Sequence, residues 1–351
     1  MERKMFGVTE SGREVNIYTL QNSRGMQAQV INLGAILVSL KVPDQNGQLR
    51  DIVLGYDHVS DYEKNSNCFG AVIGRNANRI KGTQITIDGF EYNLDDNDNG
   101  NNLHSGFHGF NHEIWSAMYA TDGHHQISFC YESAEGSQGF PGTLNVSVSY
   151  ELTEENKLII HYEAETNRKT IVNLTNHTYF NLNGHDSGNV EKQKVCIYAD
   201  TYTPIEEKGK CPTGDIVSVE GTPMDFRKIK AIGKDINSEF DQIRYAGGYD
   251  HNYVNKNDGQ LKLVAKAGSE SSGIKMGVYT DRPGLQFYTG NYIGNVTGKN
   301  GAVYGDRHGF CFETQCFPDA IHHHNFPSSL LDPKQKFSST TEYVFGIIGK
   351  K

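Results

Sequence analysis

Leu144-Asn-Val-Ser-Val-Ser-Tyr-Glu-Leu152 alternates apolar and polar residues without a break over its whole length. Side chains of a β-strand point to opposite faces in turn, so this stretch predicts a strand with one face in a core and the other solvated or in a groove. Similar runs of Val, Ile, Thr, Tyr and Phe extend outward from it. On the N-terminal side they fall at 15–20, 27–33, 36–42, 83–87 and 126–131. On the C-terminal side they fall at 157–165, 195–200, 262–265, 274–280, 286–291, 309–315 and 339–345. Turn residues separate them at Asp44 to Gly47, Asp88-Gly89, Asp122-Gly123 and Asn257 to Gly259. One short helix is predicted, over 57–65. No linker, charge block or internal repeat divides the chain. The expectation is therefore all-β: a single large antiparallel β-sandwich with few short helices, one domain over residues 1–351.

Composition narrows the function classes. A net charge of -9 without any Lys/Arg-rich block argues against a nucleic-acid partner. Such a surface repels anionic substrates slightly and is indifferent to neutral ones. Cysteines 68, 130, 196, 211, 311 and 316 form no Cys-x-x-Cys pair, and Met1 to Gly7 lacks an apolar run. Reduced thiols in a cytoplasmic protein are expected. No stretch approaches the ~20 apolar residues of a membrane-spanning helix, so no membrane partner is expected.

The first candidate for chemistry is His177, in Thr170-Ile-Val-Asn-Leu-Thr-Asn-His-Thr-Tyr-Phe-Asn-Leu182. Read as one strand, it places Asn173, Thr175, His177, Tyr179 and Asn181 on one face. Rows of hydrogen-bonding groups of this kind suit uncharged, oxygen-rich ligands such as sugars. An imidazole titrating near ~6.5 could hand a proton to a sugar oxygen. The alternative is a half-buried strand whose histidine satisfies a neighbour, and the segment alone leaves both open. Glu313 is the second candidate, in Gly309-Phe-Cys-Phe-Glu-Thr-Gln315. Alternation puts Phe310, Phe312 and Thr314 on one face and Cys311, Glu313 and Gln315 on the other. Partial desolvation there would raise the carboxyl's pKa and suit it to act as a general base; a solvent-facing glutamate is the alternative.

Further candidates are weaker alone. Asp250 follows Gly247-Gly-Tyr249 and offers two acceptors to sugar hydroxyls. Gln286 precedes Phe287 and Tyr288, an amide beside rings able to cover the C–H side of a pyranose. Asn78 and Arg79 add donors, and His104 lies in the long polar loop 93–112. His104, His108 and His112 have a helical metal-ligand spacing, but Gly106 and Gly109 oppose a helix, so no metal is expected. His322, His323 and His324 read as a solvated loop between Pro318 and Pro327. A nucleophile elbow, a phosphate loop and a dinucleotide fingerprint are all missing.

Taken together, the motifs resemble the aldose 1-epimerase (galactose mutarotase) family almost end to end. The matching blocks are Gly74-Arg-Asn-Ala-Asn-Arg-Ile80, Leu103-His-Ser-Gly106, Gly139-Phe-Pro-Gly142 and Asn173 to Leu182. They continue with Tyr249-Asp-His-Asn252, Pro283 to Asn291, Glu313 to Ala320 and Asn325-Phe-Pro327. Ser105 departs from the glycine usual in the family. The resemblance implies a galactose mutarotase-like supersandwich that interconverts α and β anomers of free aldohexoses without a cofactor. It also implies His177 as general acid, Glu313 as general base, and Asn78, Arg79, His104, Asp250, Gln286 and Phe287 as substrate-binding residues. The partner expected is a free aldose, with the protein a monomer or weak dimer. A non-catalytic sugar-binding protein, a hexose-phosphate epimerase and a glycoside hydrolase using Asp250 and Glu313 are the competing readings.

Overall fold

The computed structural model describes residues 2–119 and 125–350. Almost every regular element is a strand, and the expected all-β architecture is observed. The Asp122-Gly123 turn lies outside the described residues. Only two short α-helices occur among the described residues, Val59–Lys64 and Asp241–Ala246. The first matches the predicted helix.

Three antiparallel sheets carry the fold. A five-stranded meander begins at Glu2–Val8 and ends at Leu49–Asp51. A nine-stranded sheet has Leu144–Leu152 between Gln126–Ser133 and Lys157–Thr166. In that strand Leu144, Val146, Val148, Tyr150 and Leu152 are buried and the residues between them are not, as the alternation requires. A six-stranded sheet runs in the order Tyr179–Phe180, Phe310–Gln315, Gly284–Tyr288, Asp250–Val254, Thr201–Thr203, Val217–Ser218.

One face of the six-stranded sheet faces the core. Leu285, Phe287, Phe310 and Phe312 join Val146, Val148 and Tyr150 in one apolar cluster. Tyr343 of the nine-stranded sheet donates its hydroxyl to the Phe312 carbonyl at 3.0 Å, tying the two layers together. The other face of the same sheet carries polar groups. Register aligns Tyr179, Cys311, Tyr288 and Asp250 in one row across four strands. It aligns Glu313, Gln286 and Asn252 in the next. The period-2 pleat thus separates a core face from a chemical face on the same strands.

One sequence reading needs correction. Residues 170–182 are not one strand: Thr170–Ile171, Thr175–Asn176 and Tyr179–Phe180 pair with three different partners. Every residue from Ile171 to Leu182 is buried, the supposedly polar face included. Much of that polarity is consumed by backbone. Asn173 accepts from the Cys316 N–H, Asn176 donates to the Gly70 carbonyl, and Asn181 donates to the Gly188 and His308 carbonyls. Asp250, just past the Gly247-Gly248 turn, opens the strand Asp250–Val254 inside the six-stranded sheet.

Candidate active site

His177 and Glu313 meet at the base of a cavity of about 210 Å³ on the polar face of the six-stranded sheet. That volume holds roughly seven waters' worth of space, the scale of one monosaccharide rather than a polymer. Wider surface clefts exist, one of about 780 Å³ around Arg227. Several of its charges are already paired, Arg227 with Asp225 and Lys230 with Asp235. The smaller cavity is where buried titratable groups converge.

Glu313 is only 2% exposed, and its Oε2 has no hydrogen-bond partner. Burial drives its pKa well above the usual carboxylate range, with repulsion from Asp250 adding and Arg79 partly offsetting. His177 Nε2 lies 3.7 Å from that free oxygen. Tyr179 stacks on the imidazole at 4.9 Å, and Tyr288 meets it edge-on at 6.2 Å. Burial pushes His177 down to about 4, against smaller upward pulls from its own carbonyl and from Asp250. This corrects the expectation of an imidazole titrating near neutrality: a dry site disfavours the charged ring. In the sugar-free protein, then, burial disfavours the charged form of both partners.

His104 comes in from the loop 93–112, where Asn102–Leu103 pairs with Arg79–Ile80. Its backbone is left-handed at φ +53, which turns the ring edge-on to His177 at 5.4 Å. The Asn78 N–H donates to His104 Nδ1 at 3.1 Å, so the ring's own hydrogen sits on Nε2. Burial, followed by His177 and Arg79, holds its pKa well below 6.5. A neutral N–H donor results. Ser105 also adopts positive φ, at +73, and its hydroxyl accepts the Asn76 N–H at 2.7 Å. That bond fixes the turn at the position where the family usually has glycine.

Asn78 and Arg79 line the cavity too. Arg79 Nε donates to Asp98 at 2.7 Å, and its Nη1 stands 3.8 Å from Asp250. Gln286 donates to Asp250 at 2.7 Å and accepts from Gln315 at 3.3 Å. It lines a separate recess of about 10 Å³ shared with Asp250 and Asn252. Phe287 is not brought to the cavity. It is fully buried between Phe226, Tyr249 and Phe312, because the pleat that turns Gln286 and Tyr288 to the site turns Phe287 to the core. Tyr288 supplies the ring instead, and the same alternation, read one residue further, would have found it. Lys210 and Tyr292 at the cavity, their cation and ring 4.3 Å apart, come from distant loops that no local pattern links.

Metal ligation fits poorly here. His104, His177 and Glu313 bring donor atoms within 4.8 Å of one another. However, the Asn78 N–H occupies the lone pair of His104 Nδ1 and leaves a hydrogen on the nitrogen a metal would need. His108 is exposed and no helix stacks it with His104 and His112. His322 and His323 both face Asp319, at 2.6 and 3.3 Å.

The family resemblance read from the motifs is borne out by comparison with known proteins. The profile of the aldose 1-epimerase family matches residues 16–344. This chain belongs to that family. It is 40% identical to human galactose mutarotase over 347 residues, 98% of either chain. It is 37% identical to the aldose 1-epimerase of Escherichia coli K12, covering 95% of this chain and 96% of that one. Among solved structures, galactose 1-epimerase from Lactobacillus acidophilus superposes with a TM-score of 0.85 at 29% identity, covering 99% of this chain and 98% of its own. An aldose epimerase homologue from C. elegans gives 0.87 at 28% identity, with 95% and 100% covered. The fold is the galactose mutarotase-like sandwich.

Proposed function

We propose that this protein, an isomerase of the aldose 1-epimerase family, interconverts α and β anomers of free aldohexoses such as galactose and glucose by acid–base ring opening and reclosure. The observation that carries the residue assignment is the unpartnered Glu313 Oε2, 3.7 Å from His177 Nε2 in a monosaccharide-sized cavity. Glu313 removes the proton from the C1 hydroxyl while His177 protonates the ring oxygen. The C1–O5 electron pair leaves to the ring oxygen, and a carbonyl forms at C1. Rotation about C1–C2 presents the other carbonyl face, and both transfers reverse. Asp250, held by Gln286 and Arg79, accepts sugar hydroxyls; Asn78, Arg79 and the Nε2–H of His104 donate to them. The rings of Tyr179 and Tyr288 cover apolar C–H surface. Every one of these groups comes from a single chain, residues 1–351 acting as one catalytic domain, so a monomer or weak dimer suffices. Six unpaired cysteines fit a reducing compartment such as the cytoplasm.

The reaction needs one proton shared by the pair. Below about pH 4 His177 takes a second proton and Glu313 can no longer accept one. Above the raised pKa of Glu313 the pair carries none, and the acid is missing. A broad bell follows, with its acidic limb near 4. Polarimetry on pure α-D-galactose and α-D-glucose tests the assignment. Glu313→Gln should lower kcat by about 10²-fold or more while sugar binding remains measurable; wild-type turnover in that variant overturns the role. Release of reducing sugar from an aryl glycoside would instead favour a hydrolase.

A further inference from the structure

Acid catalysis uses one nitrogen of His177, and the other has its own partner. Nε2 faces Glu313, whereas Nδ1 lies 3.5 Å from Cys311 Sγ. We propose that Cys311 is a positioning residue for the epimerisation: its sulfur accepts the Nδ1 hydrogen of His177, so that Nε2 is the nitrogen that loses and regains the proton. The proposal rests on His177 acting as the acid.

Proton balance requires such a partner. On ring opening the Nε2 hydrogen goes to the ring oxygen, and on reclosure it returns from that hydroxyl. Between the two steps His177 is neutral and its one remaining hydrogen must be on Nδ1. A ring that relaxed to the other tautomer would present Nε2–H and could not take the proton back. An acceptor at Nδ1 prevents that. Cys311 supplies the one side-chain bond at Nδ1 among the described residues.

The chemical nature of the acceptor also matters. A carboxylate would hold the imidazolium and raise its pKa, weakening the acid against a poorly basic ring oxygen. A thiol is neutral. Burial, then Glu313 and Asp250, keep Cys311 protonated well above the usual thiol range, so its sulfur carries no charge. The other groups facing His177 are His104, Tyr179, Tyr288 and Glu313, with Asp250 acting on it from the strand Asp250–Val254. Backbone register holds the contact in place. Cys311 pairs with Tyr179, two residues beyond His177, and Glu313 follows Cys311 by two on the same face. One strand therefore carries the base and the partner of the acid.

The test combines polarimetric kinetics, pH profiles, thermal unfolding and 15N NMR of the histidine side chains. Wild-type His177 is expected as the Nδ1–H tautomer. Cys311→Ala should lower kcat about three- to tenfold at unchanged KM and raise the Nε2–H population. Cys311→Ser, which keeps an acceptor, should recover most of the loss. Cys311→Asp should move the acidic limb upward by about one pH unit or more. An Nε2–H tautomer in the wild type overturns the proposal even if Cys311→Ala does not fold. So does an unchanged kcat in Cys311→Ala, or a loss that serine fails to restore with the acidic limb of Cys311→Asp unmoved, which would mark a packing role alone. Full activity in His177→Asn would remove the acid assignment itself, a result separate from the tautomer.

Discussion

Glu313 shows what function costs at a single residue. Folding moves a carboxyl into a dry site and leaves one oxygen unbonded, so the native state prefers the protonated form. Its folded pKa lies above its unfolded value. The group's contribution to stability is therefore full below pH ~4.5 and is lost as pH rises toward the folded pKa. Glu313→Gln removes that penalty. Its melting temperature should exceed wild type by about 2 °C or more at pH 8, and the gap should close near pH 4. Equal melting curves at pH 8 would mean that the carboxyl is solvated. The residue's place on an aromatic strand was legible in the sequence, because Phe310 and Phe312 fix which face is core. What the pattern could not show was the neighbour: His177 is 136 positions away, and the apposition depends on the pairing of Tyr179 with Cys311.

At the scale of elements, short connections do the positioning. The turn after Gly74 delivers Asn78 and Arg79, and a buried guanidinium anchors it. Arg75 donates to the carbonyls of Ser133, Ala134 and Pro141 and to the hydroxyls of Ser133 and Thr170. No carboxylate pairs with it among these partners, and burial lowers its pKa to about 10. Arg75→Met would remove all five of these bonds from a buried site and should cost about 3 kcal/mol or more in urea unfolding. The loosened turn should also raise KM for galactose. A variant with wild-type midpoint and KM would mean that solvent replaces those bonds freely. Here the sequence was half legible. The strands 144–152 and 274–280 were read with the observed bounds because alternation is local. The 170–182 stretch was misread because its polar residues serve three separate pairings and backbone carbonyls, and a period-2 pattern cannot tell a ligand-facing amide from a structural one.

For the whole molecule, the same dryness that tunes the site makes the fold acid-sensitive. His177 and His251 are held near 4 and 3 by burial, and His104 well below 6.5. Their folded pKa values lie below the unfolded one, so unfolding takes up protons and stability falls as pH drops below ~6.5. His322 runs the other way, raised by its bond to Asp319, and Glu313 gains stability over the same range. In a Glu313→Gln background the melting temperature should fall by about 5 °C or more between pH 7 and pH 4; a flat profile would show the histidines to be solvated. The sequence by itself determined the all-β class, the core faces of the longer strands and the family resemblance, because each of these is written in local alternation or in contiguous motifs. Only the tertiary structure decided that Gln286 braces Asp250 and that Cys311 meets the imidazole. Those assignments depend on inter-strand register and loop placement, which arise from contacts between residues far apart in the chain. The tertiary structure likewise moved the histidine of the 170–182 segment away from neutrality, because desolvation is a property of the assembled layers and not of any one strand.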